Sequence, residues 1–422
     1  MCKKIVICLL VIGSLIMGGN SAIAADKEVT LRIMVEIASL SDKLIDVWHK
    51  KNPNIKIVRE DVDLSKFIAD YLANDPPDVF QVGAGADIPY FVARGMLLDI
   101  SSYLKNNEYF KESDIDIGGN AAYKVNGRWF GLPKDYNNVT AITYNKELFK
   151  KAGLPFPSAT EPMTYAEFYD LAEKLTSETV FGTEIHGFWS IFLADDKAKM
   201  IGKRIMDGDV MNEDPEIRAI WKEQLQLRTK GISSNLKKPL SGWAGSAFQA
   251  GNIAMVQLGY WYGASCYSVE GYNEKFGWAP APIMKKGGKR ITSSLGATGF
   301  VIASKTKHPD ETAKFFNWYM GGAPGIERAS TGWGLPPVKT MNNLLPSGND
   351  FDKQRTNLAL ESVKYMEAPA LSSYISVDMY NSAWNKAKQS LLTGSTDLDG
   401  AVNMFYKSVN ASIEFGKEEV GK

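Results

Sequence analysis

Cysteine is almost missing from this 422-residue sequence: Cys2, Cys8 and Cys266 are the whole complement. The first two fall in a leader-like stretch. Cys266 is then left without a partner, which excludes an internal disulfide and suits a small buried hydrophobe. Histidine is as scarce. His49, His186 and His308 stand far apart, with no cluster of ligands at metal spacing, so no metal site is expected. Net charge is also absent. There are 48 Lys and Arg against 48 Asp and Glu and no long basic run, which excludes the electrostatic footprint of a nucleic-acid binder. No nucleophile elbow, zinc-protease helix or phosphate-cradling glycine loop occurs, and no cofactor is expected.

Long hydrophobic runs are limited to Ile5–Met17, short of the roughly 20 residues that a membrane span needs. Lys3 and Lys4 precede it, and Gly18, Gly19, Asn20, Ser21 and Ala22-Ile23-Ala24 follow. That order reads as a secretory signal peptide, residues 1–24, cleaved after Ala24. No cysteine stands after the apolar stretch to carry a lipid anchor, so the expected product is freely soluble in a periplasm. Removing Lys3 and Lys4 from the balance of 48 against 48 leaves a net charge of −2.

What remains is enough chain for two domains. Val29–Val35, Ile55–Val58 and Val79–Val82 read as strands. Ser41 caps a helix reaching about Lys51, which Asn52-Pro53-Asn54 breaks, and another helix follows at Phe67–Leu72. This alternation predicts an α/β fold with a parallel sheet, whose ligands bind beyond the carboxyl ends of the strands. Glu36 and Gly83–Asp87 fall at that edge. Thr164-x-x-Glu167 is a capping box for a helix at Tyr165–Leu175, and Asp214-Pro215 opens one that runs to about Thr229. Pro309 opens a helix carrying Ala313, Phe315, Phe316 and Met320. Thr396-x-x-Asp399 is read as the cap of a last long helix, with Glu418–Lys422 a frayed tail.

Aromatic residues gather in glycine-containing stretches outside helical periodicity: Trp189, Trp243, Tyr260, Trp261, Tyr262 and Trp333. Glycines on either side would let the backbone approach a ligand and leave the ring protruding. The plain alternative is that these rings seal cores. Flat aromatic faces with polar neighbours suit a carbohydrate, whose C–H faces lie on rings and whose hydroxyls need partners at the edges.

Several segments together resemble the bacterial extracellular solute-binding proteins of the maltose-binding type. They are Trp48–Val58 (WHKKNPNIKIV), Pro77–Phe80 with Arg94–Ile100, and Asn126–Arg128 with Gly131–Asp135 and Tyr144–Phe149. Phe248–Met255 with Gly259–Trp261, Leu295–Ile302 and Gly332–Pro336 complete the set. The resemblance implies a periplasmic-binding-protein type II fold: two α/β lobes, hinge strands and a ligand cleft between them. It implies an amino-terminal lobe of 26–139 plus 301–336 and a second of 140–300 plus 337–422, with crossings near Val139–Tyr144, Gly296–Ile302 and Gly334–Val338. By the same resemblance Glu36, Ser39, Gly83, Ala84 and Asp87 line one wall, and Lys134, Asp135, Tyr136 and either Asn137 or Asn138 lie at the first hinge. Tyr260, Trp261, Trp333, Trp243 and Trp189 would stack sugar rings. Gly83 stands where the family's type member has a stacking aromatic, which argues against a maltodextrin. The implied partners are a carbohydrate, bound without chemical change by a monomer, and the permease of an ATP-driven importer. The rival readings are another cargo on the same architecture, such as a glycerol phosphodiester, polyamine or metal, and a secreted glycosidase or lyase.

Overall fold

Two sheets organise the chain in a computed structural model that describes residues 28–421 except 106, 139, 186–188 and 294–297. The expected leader, His186, Val139 and the start of the Gly296–Ile302 crossing lie outside the described residues. The first sheet contains β1 (Val29–Met34), β2 (Ile55–Glu60), β3 (Val79–Val82), β4 (Leu132–Pro133) and, from much later in the chain, β9 (Gly299–Ile302). Its order is β2-β1-β3-β9-β4. The first three strands are parallel, and β9 runs antiparallel to both β3 and β4. It follows that β1, β3 and β4 point the same way and deliver Glu36, Gly83 and Lys134 to one edge.

The second sheet holds β5 (Ile142–Asn145), β6 (Phe181–Glu184), β7 (Ile253–Gln257) and β8 (Phe276–Ala279) in the order β8-β5-β7-β6. Every residue of these four strands is buried, as expected of a sheet covered on both faces. The helices that matter below are α1 (Asp42–Lys51), α2 (Tyr165–Leu175), α3 (Ala323–Thr331), α4 (Asp350–Ser362), α5 (Val377–Leu392) and α6 (Leu398–Val420).

Local chemistry explains most boundaries. Ser41 accepts from the Leu44 N–H at the start of α1, and Thr164 and Glu167 close a reciprocal capping box on α2. Two expectations at the carboxyl end need correcting. The cap of α6 is Asp397, which accepts from the Gly400 N–H at 2.7 Å, rather than Thr396. The helix also runs to Val420 in place of a frayed tail, and Glu419 pairs with Arg94 at 3.2 Å.

The core around the first sheet is drawn from residues 29–132 and 300–338. The remaining cores come from later segments, among them Trp221, Trp384 and Phe405 in one and Phe248, Tyr262 and Trp278 in another. Between these bodies, Tyr136 and Leu335 exchange both backbone hydrogen bonds at 2.9 Å in an isolated antiparallel bridge. The bodies also meet where Ala84 and Ala86 pack on Phe192 and Val377. Cys266 is a buried free thiol.

Candidate functional site

The shared edge of β1, β3 and β4 carries two cavities. The first, about 220 Å³, is lined by Glu36, Ser39, Lys134, Asp135, Arg328 and Trp333, among others. Its floor is a chain of charges. The Lys134 ammonium donates to the Glu36 carboxylate and the Ser39 hydroxyl, each at 3.2 Å, and stands 3.4 Å from Asp135. Arg328, on α3, donates through Nε to the Lys134 carbonyl at 3.2 Å and through Nη2 to the Tyr319 carbonyl at 2.8 Å. Its Nη1 is buried and has no hydrogen-bond partner, a donor left over at the cavity wall.

The electrostatics follow from this packing. Burial by itself would lower the Lys134 ammonium, but Asp135, Tyr319 and Glu36 outweigh it and hold it above the usual lysine range. Burial raises the Asp135 carboxyl, and Lys134 and Arg328 only partly offset that. Glu36, nearer solvent, is held below its ordinary value because Lys134 outweighs its partial burial. Two cations and two carboxylates therefore share the floor with no net charge among them, while the carboxylate of Glu327 stands at the lining.

The second cavity, about 250 Å³, has Gln81 in its lining and is more apolar. Phe80, Val82, Gly83, Ala84 and Phe91 line it with Asp87 and Val377. Asp87 is buried, and its Oδ1 accepts from the Val377 N–H at 2.7 Å. Val377 opens α5, so a carboxylate from the loop after β3 satisfies a free donor at a helix amino terminus. Burial nonetheless pushes the Asp87 carboxyl up to about 7, and Asp378 adds repulsion against the pull of the Val377 N–H.

The aromatic residues divide into two groups. Trp243, Trp261 and Trp333 form a row of nearly parallel indoles. Trp243 and Trp261 have centroids 5.9 Å apart at 19°, and Trp261 and Trp333 are 6.5 Å apart at 7°. Trp333, at the cavity wall, is 47% exposed. Tyr136 and Tyr260, by contrast, are fully buried together with Leu335 and Leu345 and present no face to solvent. Trp189 packs on the contact between the bodies, beside Ala84, Ala86 and Phe192.

The two asparagines have separate tasks. Asn137 is buried, donates to Asp135 Oδ1 at 3.3 Å and accepts from the Trp261 N–H at 2.9 Å. Asn138 is buried too, and its unpaired Oδ1 belongs to a different, small cavity shared with Arg290 and Tyr365. Glycine also acts differently from the sequence expectation. A Cβ on Gly334 would strike Asp135, on Gly245 the Trp243 ring, and on Gly263 and Gly332 the Arg355 side chain. These glycines make room for neighbouring side chains of the chain itself. Arg328 and Arg355 were both missed in the sequence, where neither stands in a motif.

The sequence profile of the bacterial extracellular solute-binding proteins matches residues 34–322, more than half of the chain. The chain belongs to this family. Among curated relatives of this solute-binding protein, an uncharacterised ABC-transporter extracellular-binding protein of Pyrococcus horikoshii is 26% identical over 66% of this chain and 63% of its own length. A multiple sugar-binding protein of Streptococcus mutans is 25% identical over 69% of this chain and 70% of its own. The chain thus spans about two thirds of the length of these relatives. In three dimensions, an ABC substrate-binding protein of Listeria monocytogenes, solved in complex with cycloalternan, superposes with a TM-score of 0.75. It is 20% identical, and the match covers 92% of this chain and all of that one. The solute-binding protein described here shares that fold, with α/β bodies around two sheets. Among its described residues, no helix is long and apolar enough to cross a membrane.

Proposed function

We propose that this solute-binding protein captures a neutral carbohydrate in the cavity between Lys134 and Trp333, by closure of two hinged lobes, and hands it unchanged to a membrane importer. One observation carries the reading: a charge-balanced floor of Glu36, Lys134, Asp135 and Arg328 lies beside the open indole face of Trp333. A sugar offers what such a site needs. Its hydroxyls both donate to carboxylates and accept from cations, while its C–H face lies on the indole. Relatives that bind multiple sugars and cycloalternan support the same ligand class.

The lobes are those of the sequence reading, 26–139 with 301–336 and 140–300 with 337–422, and the Tyr136–Leu335 bridge is the natural pivot. Ligand that touches both walls only when they are closed shifts the equilibrium by its differential affinity. Export by residues 1–24 to a periplasm, action as a monomer and docking on the permease of an ATP-driven transporter complete the proposal. Tyr136 and Asn137 then serve the site from beneath, and Asp87 serves closure.

A second reading has one observation in its favour. Arg328 adds a second buried cation to Lys134, as a phosphate-bearing solute would require. Glu36, Asp135 and Glu327 on the same lining oppose it. A thermal-shift screen of neutral mono- and oligosaccharides against glycerol phosphodiesters and polyamines separates the two. A neutral sugar at 100 times its Kd should add about 2.7 kcal/mol of stability. Shifts by phosphodiesters alone would overturn the carbohydrate reading, and release of a cleaved product would overturn binding without chemistry.

A further inference from the structure

Between the segments that carry Trp261 and Trp333 lies one buried cation that the carbohydrate reading does not use. Arg355 comes from α4 and is 1% exposed. Its Nη1 donates to the Tyr260 carbonyl at 3.4 Å, immediately before Trp261. Its Nη2 donates to the Tyr267 hydroxyl at 2.6 Å and stands 3.1 Å from the Asp352 carboxylate, which accepts from the same hydroxyl at 2.7 Å. The guanidinium also lies over the Tyr260 ring, 4.5 Å from its centroid.

Contacts on the other side reach Trp333. Gly332, immediately before that tryptophan, has φ +75°, and a Cβ there would come within 2.5 Å of Arg355 Nη2. A Cβ on Gly263, two residues after Trp261, would collide with Arg355 Cδ and Nη1. The planar cation is thus wedged between two glycine backbones, each next to one indole of the parallel pair. We infer that Arg355 is a positioning residue that sets the spacing and parallelism of Trp261 and Trp333, and hence the reach of the platform on which a sugar would stack. The role deepens the proposed carbohydrate site and rests on it for its purpose, but the geometry can be tested without any sugar.

Lysine cannot replace arginine here: it keeps a charge for Asp352 but lacks the plane that touches both glycines and the Tyr260 carbonyl. The test is 19F NMR of the full chain labelled with 5-fluorotryptophan, in which the Trp333 signal is the one lost in Trp333→Phe. Trp261→Leu removes the neighbouring indole and fixes the Trp333 position in the absence of pairing. Arg355→Lys is expected to move the Trp333 signal toward that position, and Gly263→Ala, which pushes the guanidinium away, to do the same. Gln354→Leu, which loosens the same helix by removing its bonds to the Trp278 backbone, should leave the signal in place.

An unmoved Trp333 signal in Arg355→Lys would overturn the inference, as would an equal movement in Gln354→Leu or no response to Trp261→Leu. If Gly263→Ala fails to fold, Arg355→Lys decides alone. Because no sugar is added, failure here leaves the carbohydrate reading standing, and a negative sugar screen leaves this result standing.

Discussion

The two cavities at the edge of the first sheet are neighbours made on opposite principles. In the first, cations and carboxylates are held beside one another, a buried Arg328 donor is left over, and an indole stands open. In the second, a largely apolar lining holds two carboxylates, Asp87 and Asp378, and Asp87 is spent on the first N–H of α5. A spare donor beside an open ring is what a ligand site needs before its ligand arrives. A carboxylate already satisfied by another part of the chain is what a contact between two parts of the fold needs. The difference teaches that position at the strand ends does not assign a role; the hydrogen bonds already made do.

Breaking the second cavity should give the largest effect. The Asp87 carboxyl rises from 3.8 to about 7 in the folded chain, so the folded state holds that proton more tightly than the unfolded one. The stability it contributes is complete below about pH 4 and falls as pH rises toward 7, by as much as about 4 kcal/mol. Asp87→Asn keeps an acceptor for Val377 but cannot ionise. Urea unfolding of both proteins between about pH 5 and pH 8 should show the wild type losing stability relative to the variant. Parallel pH profiles would remove the distinction drawn for this cavity.

The next effect belongs to the first cavity. Lys134→Met leaves the buried Asp135 carboxylate with the Asn137 amide and with Arg328 as its remaining cation, and should cost about 3 kcal/mol. The deficit should grow with pH, because Asp135 then needs a proton to remain buried. If calorimetric melting shows no loss, or a loss that shrinks with pH, the charge-balanced floor is not what holds this cavity.

Sequence periodicity made the first sheet legible because β1 to β3 and their connecting helices are local: caps, an Asn-Pro break and short apolar runs lie close together in the chain. The strand-end rule then brought Glu36 and Asp87 to one edge, and Asp135 came only from the family resemblance. Less legible was anything set by distant segments. β9 arrives from residue 299 to lie between β3 and β4, Asp87 finds its donor at Val377, and Arg328 and Arg355 act through contacts that no spacing encodes. The glycine-flanked aromatics were visible as a class but not divisible. Tyr260 and Trp261 are adjacent in sequence, yet one is sealed beneath Arg355 and the other joins the row of indoles. The glycines beside them do serve close approach, but the approaching group is the chain's own arginine.

The smallest effect on stability should accompany the clearest effect on binding. Trp333 is 47% exposed and stacks only on one side with Trp261, so Trp333→Ala should change unfolding free energy by about 1–2 kcal/mol. Trp278, buried in a core, would cost about 3–5 kcal/mol on the same change. Losing the stacking face should weaken capture of any sugar found by the thermal-shift screen by about tenfold, equivalent to about 1.4 kcal/mol. Isothermal titration of wild type and variant with that sugar measures the ratio directly. Asp87→Asn in the same titration separates the cavities further. If the second cavity is a closure contact, that change acts alike on every sugar the protein binds, because closure is common to all. Trp333→Ala, in contrast, should discriminate among sugars by the flatness of the face each presents. An Asp87→Asn variant that changes the rank order of sugars, with Trp333→Ala leaving it intact, would reverse the roles of the two cavities.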